Sequence, residues 1–353
     1  MGAKTIYRSN DDRAVAGFPI KSVVGVNWLP VGFAVFLLAA PLFADRYWLS
    51  VVIVPWMILS LAAIGLNVKT GYAGLLSVGA GGFMAVGAYG MYVFAVHGHI
   101  ENFLVALLLG GCASAVMGFL VGIPSSRISG FYVMVTTLAA QFFLEWLFSK
   151  VPWFYNYGTV PTISLPPMRL FGLAINQDST ACYYVVVVTV LALTWVARNL
   201  IESPIGRNWI AVRDMKTAAR VIGIKVDSYK LLAFTIGGFY LGIAGAFWAF
   251  LFLGTVSTQS FDLTRSFQIL FIIIIGGMGT IRGNFIGAAF ILLMPLVITV
   301  VMSAVFGGSV NSTLLSNMNK VIFGALIVLL LIKEPEGFDK IARNLGARIK
   351  RFL

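Results

Sequence analysis

The stretch VVIVPWMILSLAAIGLNVKTGYAGLLSVGAGGFMAVGAYGMYVFAV, residues 51–96, carries a single charged side chain, Lys69. About 20 consecutive apolar residues suffice for a helix to cross the hydrocarbon core of a bilayer, so this stretch holds two crossings, the second of them crowded with glycine. Similar runs recur along the chain. The whole sequence is 59% hydrophobic and 11% charged, against about 25% charged for a soluble domain. Its mean hydropathy is +0.93. Lipid is the solvent such a chain needs, and in lipid every backbone polar group must be satisfied within the protein, which selects helices here.

Spans are expected at 28–43, 48–66, 72–96, 103–123, 130–148, 182–198, 231–253, 265–280, 283–306 and 319–333. The fold expected is all-α and polytopic, with about ten transmembrane helices. Residues 1–27 form an N-terminal segment, 28–333 the membrane domain, and 334–353 a tail. The net charge of +12 is sorted by side. With both termini in the cytoplasm, 20 of the 25 Lys and Arg lie inside, and the outer loops hold only Arg46, Lys150, Arg169, Arg265 and Lys320. That asymmetry explains the charge without nucleic acid, and lipid is the partner it implies.

Ten spans divide into two fives, and an odd number per half inverts the second half relative to the first. The third span, with Gly74, Gly79 and Gly82, and the eighth, ending in Gly276, Gly277 and Gly279, then occupy corresponding places. Paired glycine-interrupted segments mark a transport pathway. Small residues four apart, as in Gly118/Gly122, Gly238/Gly242 and Gly279/Gly283/Gly287, serve close helix packing equally well. The eighth span is short enough to be broken or re-entrant. Other polar candidates for a pathway are Asn67, Ser77, Thr137, Gln141 and Glu145; the last three are four apart and share one helix face. Glu145 could meet an ammonium group or be a solvated carboxylate at the outer end of its helix.

Two connections exceed simple turns. Residues 149–181, outside, contain Pro152, Trp153, Tyr155, Tyr157, Pro161, Pro166 and Pro167, suited to a cap, a partner surface or interfacial anchoring. Residues 199–230, inside, place Ala211, Val212, Met215, Ala218, Ala219 and Ile222 at helical spacing among basic residues, as one short amphipathic helix outside the bilayer would. It could rest on anionic headgroups or receive a partner. The N-terminus lacks the short apolar core and small-residue site of a cleaved signal. Cys112 and Cys182 are read as packing residues.

Chemistry is sparse. No phosphate loop occurs, since Lys69-Thr70 follows Val68 where glycine is required, so no ATP site of that kind is expected in this chain. Metal-binding spacings and a Ser/His/Asp set are also missing, and an enzyme is not expected. With so little charge inside the spans, an ion-coupled mechanism lacks its usual carriers, which argues for energy supplied by another subunit.

Four stretches together resemble a known family: Gly71-Tyr72-Ala73-Gly74-Leu75-Leu76-Ser77 with Gly87-Ala88-Tyr89; Ser203-Pro204-Ile205-Gly206-Arg207 leading to Ala211-Val212-Arg213-Asp214, Ala218-Ala219 and Gly223-Ile224; Gly276-Gly277-Met278-Gly279-Thr280 with Gly283 and Gly287; and Glu334-Pro335-Glu336-Gly337. The chain resembles the branched-chain amino acid ABC transporter permeases, on the LivM side of their permease pair. The resemblance implies an importer subunit in the bacterial inner membrane, assembled with a second permease (a paralogue), two cytoplasmic ATPases that bind ATP and Mg, and a periplasmic binding protein. It also implies a coupling role for Gly206, Arg207, Arg213, Ala218, Ala219 and Gly223. Thr217 stands where the coupling loop of this class usually has glutamate, and Gly79-Ala80-Gly81-Gly82 where the family often reads Gly-His-Gly. The cargo stays open between branched-chain amino acids, urea, amides and aromatic acids. A secondary transporter and a non-energised membrane subunit are the alternatives from other classes.

Overall fold

A computed structural model describes residues 45–128, 130–155 and 179–306, together with 157, 162–164, 169–170, 173–174 and isolated positions before 45 and after 306. Among the described residues six helices are long and apolar enough to cross a bilayer. We label the helices α1 (Leu49–Tyr72), α2 (Ala80–Val96), α3 (Phe103–Arg127), α4 (Phe131–Lys150), α5 (Ser179–Glu202), α6 (Pro204–Asp214), α7 (Lys216–Val221), α8 (Val226–Leu253), α9 (Leu263–Gly276) and α10 (Ile281–Phe306). Apart from isolated positions, the expected spans at 28–43 and 319–333 lie outside the described residues, as does the tail motif at 334–337 apart from Gly337.

α8 and α1 are the most enclosed helices and form the axis of the bundle, with α2 and α3 packed on α8, and α5, α9 and α10 on α1. α1 and α8 run antiparallel: Gly65 of α1 lies on Tyr240 of α8, and Lys69, one turn on, lies on Gly237. Glycine sets the depth of the α2/α3/α8 contact. A methyl group on Gly87 of α2 would overlap the Gly242 backbone of α8, and one on Gly238 would sit 2.7 Å from the Ser114 carbonyl of α3. The small residues at 118/122 and 238/242 therefore serve close packing, the expected alternative to a pathway role. Outward faces are apolar, with Val116, Leu120, Phe142, Phe143, Trp146, Val188, Trp195 and Val300 all exposed, as a lipid-facing surface is.

One pattern occurs twice. α1 ends in a π-helical turn, Val68–Tyr72, followed by Gly74 at φ +69, a non-helical stretch and the short helix α2. α8 ends in a π-helical turn, Trp248–Leu253, followed by Gly254 at φ +70, a short strand at Thr255–Ser257, one 3-10 turn at Thr258–Phe261 and the short helix α9. Glycine is the residue that enters this left-handed region without steric cost, and π turns concentrate at functional positions.

The third expected span starts late as a result: residues 73–79 are not helical, and α2 begins at Ala80 rather than near 72. The eighth is a short uninterrupted helix rather than a broken one: α9 stops at Gly276, and Gly277 and Gly279 hold φ +116 and +78 in the turn before α10 begins. α10 then folds back along α9, with Gly283 on Gly276 and Gly287 on Ile272.

At the end away from the basic residues, β1 (Thr162–Ser164) pairs antiparallel with β4 (Thr255–Ser257), pinning part of the 149–181 loop over the end of α8. β2 (Arg169–Leu170) and β3 (Leu173–Ala174) make a second small hairpin. Trp153 stacks on His97 at 5.2 Å, and Phe154 meets Tyr89 and Phe148 edge-on, so the described part of this loop closes the ends of α2 and α4 as a cap.

At the basic end, the single amphipathic helix expected within 199–230 is instead two. α6 is capped by Ser203, whose hydroxyl accepts from the Ile205 N–H, with Pro204 in its first turn. It stops at Met215, where the backbone turns to φ −145, and α7 follows and is closed by Gly223 at φ +88. The expected apolar face splits accordingly: Val212 and Ala219 are buried, whereas Met215, Ala218 and Ile222 are exposed.

Candidate functional site

The residues singled out in the sequence gather at two junctions. The first surrounds the start of α2. The opening N–H groups of a helix have no partner within it, and here they are satisfied from other helices. Val78 N–H donates to Thr137 Oγ1 (3.1 Å) and Gly82 N–H to Gln141 Oε1, both on α4, while Gly81 N–H donates to Ser266 Oγ on α9 (2.7 Å). Gln141 is the hub. Its Oε1 also accepts from Ser266 Oγ at 3.2 Å, and its Nε2 donates to the Phe261 carbonyl at 2.8 Å. One buried amide thus ties α2, α4 and the start of α9 together.

Glycine makes this approach possible: a methyl group on Gly79 would lie 2.5 Å from the Thr137 carbonyl, and one on Gly81 2.6 Å from the Phe261 carbonyl. Ser77, on the segment entering α2, is buried with its hydroxyl unpaired. Glu145 stands one turn from Gln141, half-buried and within electrostatic reach of Asp262, which caps α9 by accepting from the Arg265 N–H. Thr137, Gln141, Gly79, Gly82 and Ser77 therefore belong to one place, with Glu145 at its edge.

The second junction is at the basic end. Asn67, in the last turns of α1, accepts from the Gly279 N–H (2.9 Å) and donates to the Thr280 carbonyl (3.0 Å) and to Asn284 Oδ1 (2.9 Å). Asn67 thus holds the break between α9 and α10, apart from the other polar candidates. Gly74 and Gly279 both border Arg213, and Gly276 and Gly277 lie in the same break.

Of the expected coupling residues, Gly206 is buried where α6 turns against Ile201 at the end of α5, so it is a packing position. Arg207 is exposed. Ala218 is exposed and Ala219 buried on α7. α6 is fastened to α8 by Trp209, whose indole N–H donates to the Tyr229 carbonyl at 2.8 Å, and by Asn208, which donates to the Tyr229 hydroxyl at 2.7 Å.

Sequence reasoning missed Ser266, Asn284 and Lys69. The first two carried a readable signal, since each is a small polar residue inside an apolar run, where such side chains bind across helices. Lys69 is a correction. Counted as a loop cation, it is buried near the end of α1, its stem in the notch left by Gly237 and its ammonium 3.9 Å from the Phe83 ring centre and 5.7 Å from that of Phe234. It has no hydrogen-bond acceptor. Lys230 is buried as well, but its ammonium donates to the Ser126 and Ile128 carbonyls at the end of α3. The spans thus hold more charge than their composition suggested. Two aromatic faces compensate only part of the desolvation of an ammonium. Lys69→Met, similar in volume and without the charge, is expected to raise stability by about 1 kcal/mol or more, read as a higher melting temperature in detergent, with transport retained.

Among the described residues no group of three or more His, Cys, Asp or Glu is placed to hold a metal ion. What the two junctions can do is mechanical: side-chain amides fasten interrupted helices whose backbone N–H groups are otherwise free to receive another acceptor.

A family profile described as "Branched-chain amino acid transport system / permease component" matches residues 49–331. The chain is 29% identical over 314 residues to the high-affinity branched-chain amino acid transport system permease protein LivM of Salmonella typhimurium, covering 81% of this chain and 69% of that protein. It is 28% identical to LivM of Escherichia coli K12 over the same shares. A shorter similarity, 26% over 193 residues, covering 53% of this chain and 54% of the relative, links it to the autoinducer 2 import system permease protein LsrC of Photorhabdus luminescens. No solved structure matches the chain.

Proposed function

This chain belongs to the family of permease components of branched-chain amino acid transport systems, and on that premise we propose that it passes branched-chain or related amino acids into the cytoplasm as one subunit of an ATP-driven importer. It is a multi-pass protein of the inner membrane and a transport subunit rather than an enzyme. The single observation that carries the energising half of the reading is the α6–α7 cap. At the basic end it exposes Met215, Val221 and Ile222, at 70%, 83% and 73%, around a turn fixed by Gly223. Apolar side chains clustered on a basic surface suit a protein groove, and a short rigid element seated in one can be carried as a body.

In this reading two cytoplasmic ATPases, which bind the ATP and Mg, engage residues 199–230, with Arg207, Ala218 and Gly223 on the docking side. A paralogous permease completes the pathway, and a periplasmic binding protein delivers cargo to the outer face around 149–181. The full chain has ten spans in two inverted halves within 28–333, with 1–27 and 334–353 in the cytoplasm. The twice-repeated order of π turn, left-handed glycine and short helix, on antiparallel α1 and α8, supports the inverted relation. The first junction, around Gln141, is the closed point of the pathway between the two interrupted helices.

The test is co-expression with candidate ATPases and a second permease of the same family. Recovery of a complex whose ATP hydrolysis rises with a loaded binding protein supports the reading. Recovery of this chain alone, with flux driven by an ion gradient, makes it a secondary transporter; recovery with no flux at all makes it a non-energised subunit.

A further inference from the structure

Among the described residues, side-chain hydrogen bonds leave the cap in two directions, toward the start of α8 and toward the end of α1. Trp209 and Asn208 fasten it to Tyr229 at the start of α8, within the closely packed α2/α3/α8 body. Arg213, in the last turn of α6, reaches elsewhere. Its Nη1 donates to the Gly71 carbonyl at 2.8 Å, inside the π turn that ends α1, while its Nε is held by Asp214 at 2.8 Å. Its stem crosses Gly74, where a methyl group would come within 2.7 Å of Cγ, and its guanidinium end passes Gly279, where a methyl group would stand 3.3 Å from Nη1. Two glycines around the end of α1 and one from the α9–α10 break frame one guanidinium.

Gly71 in turn touches the α9–α10 break, since a methyl group there would be 2.5 Å from the Gly279 nitrogen. One helical turn back from Gly71, Asn67 binds the Gly279 N–H and the Thr280 carbonyl. A continuous set of contacts therefore runs from the cap, through Arg213, Gly71 and Asn67, to the break between α9 and α10. A charge-assisted hydrogen bond to a backbone carbonyl is among the stronger ties available, and glycines at φ +69 and +78 mark a segment that is not held by regular helix.

We propose that Arg213 is a positioning residue for transport: through Gly71 and Asn67 it passes movement of the α6–α7 cap to the α9–α10 break. This rests on the reading of the cap as the ATPase contact. It assigns Arg213 to the interior of the permease, away from the docking face formed by Met215, Val221 and Ile222.

The experiment uses the complete importer in proteoliposomes and compares wild type with Arg213→Ala, Arg213→Lys, Asn67→Ala and the Arg213→Ala/Asn67→Ala double variant. It reads both ATPase co-purification and amino acid molecules taken up per ATP hydrolysed. The ATPases are expected to co-purify with Arg213→Ala, while uptake per ATP falls about tenfold, the scale of losing one hydrogen bond to a charged group. Arg213→Lys recovers part of the ratio, because an ammonium can reach the Gly71 carbonyl but lacks the second arm that bonds Asp214. Asn67→Ala falls similarly, and the double variant falls no further than either single one, as two members of one chain of contacts must. A wild-type ratio in Arg213→Ala, or additive losses in the double variant, overturns the proposal. Loss of ATPase co-purification in Arg213→Ala overturns it as well, making Arg213 a docking contact. If Arg213→Ala fails to accumulate, the comparison of Arg213→Lys with Asn67→Ala decides on the same ratio. A wild-type chain that transports without any ATPase defeats the importer reading itself, an outcome separate from all of these.

Discussion

Replacing Gln141 with leucine is expected to abolish transport at detectable levels and to lower the stability of the purified protein by about 2 to 4 kcal/mol. The side chain is buried and serves three partners: it accepts from the Gly82 N–H and Ser266 Oγ and donates to the Phe261 carbonyl. Leucine fills much of the same volume but leaves a backbone donor of α2 and a carbonyl before α9 unpaired. Each buried group so orphaned costs about 1–3 kcal/mol, more than the pair contributed when made. Gln141→Glu separates the contributions. It keeps the acceptor for Gly82 and Ser266 but loses the donor to Phe261, so its melting temperature is expected between those of wild type and Gln141→Leu. Thermal unfolding followed by tryptophan fluorescence, with uptake measured in parallel, checks both; equal stability of all three proteins would remove Gln141 from its place as the tie between α2, α4 and α9.

Gly87→Val is expected to have the largest effect on folding itself. The added Cβ would overlap the carbonyl and Cα of Gly242, which are backbone atoms of the neighbouring helix and cannot rotate away as a side-chain end can. Either α2 and α8 separate along their length or the chain fails to accumulate, a cost of about 3 kcal/mol or more. Gly90→Ala offers the comparison. On the same helix, its methyl group would meet the Ala113 side chain at 3.1 Å, so a shift of a few tenths of an ångström relieves it and a near-normal yield is expected. Size-exclusion profiles of a fluorescent fusion, taken from equal membrane amounts, show the contrast directly.

How far the sequence reveals this architecture depends on which physical signal each element carries. α1, α3, α4, α5, α8 and α10 were legible because an apolar run long enough to cross a bilayer has few other stable forms, although α1 runs on to Tyr72 beyond the expected 66 and α8 starts at Val226 ahead of the expected 231. α2 was misplaced at its start for a tertiary reason. Residues 73–79 are apolar enough to read as helix, yet they unwind because Thr137, Gln141 and Ser266 supply the hydrogen bonds that the first turn of α2 lacks. None of those partners is near in sequence. The cap was legible as amphipathic and basic, but the turn at Met215 that divides it has no glycine or proline to announce it.

The same distinction governs the candidate residues. Glycine density marked both junctions, and the four-residue spacing of Thr137 and Gln141 correctly put them on one buried face. The sorting of the glycines was not legible: Gly79 and Gly82 belong to the Gln141 junction, Gly74, Gly276, Gly277 and Gly279 to the Asn67 junction, and Gly206 to plain packing. Lys69 misled because loop cations are retained on one side of the membrane, a rule that counts charge without seeing that a notch at Gly237 admits a lysine stem into the bundle.

This chain is expected to move amino acids only when a partner hydrolyses ATP. The direct measurement is uptake of labelled leucine into proteoliposomes holding the chain with its second permease and both ATPases, with a loaded binding protein outside and ATP inside. Leucine is expected to accumulate against its gradient and to stop doing so when ATP is withheld or the binding protein is left out. Leucine uptake by this chain alone, sustained by a proton or sodium gradient and indifferent to ATP, would contradict that expectation.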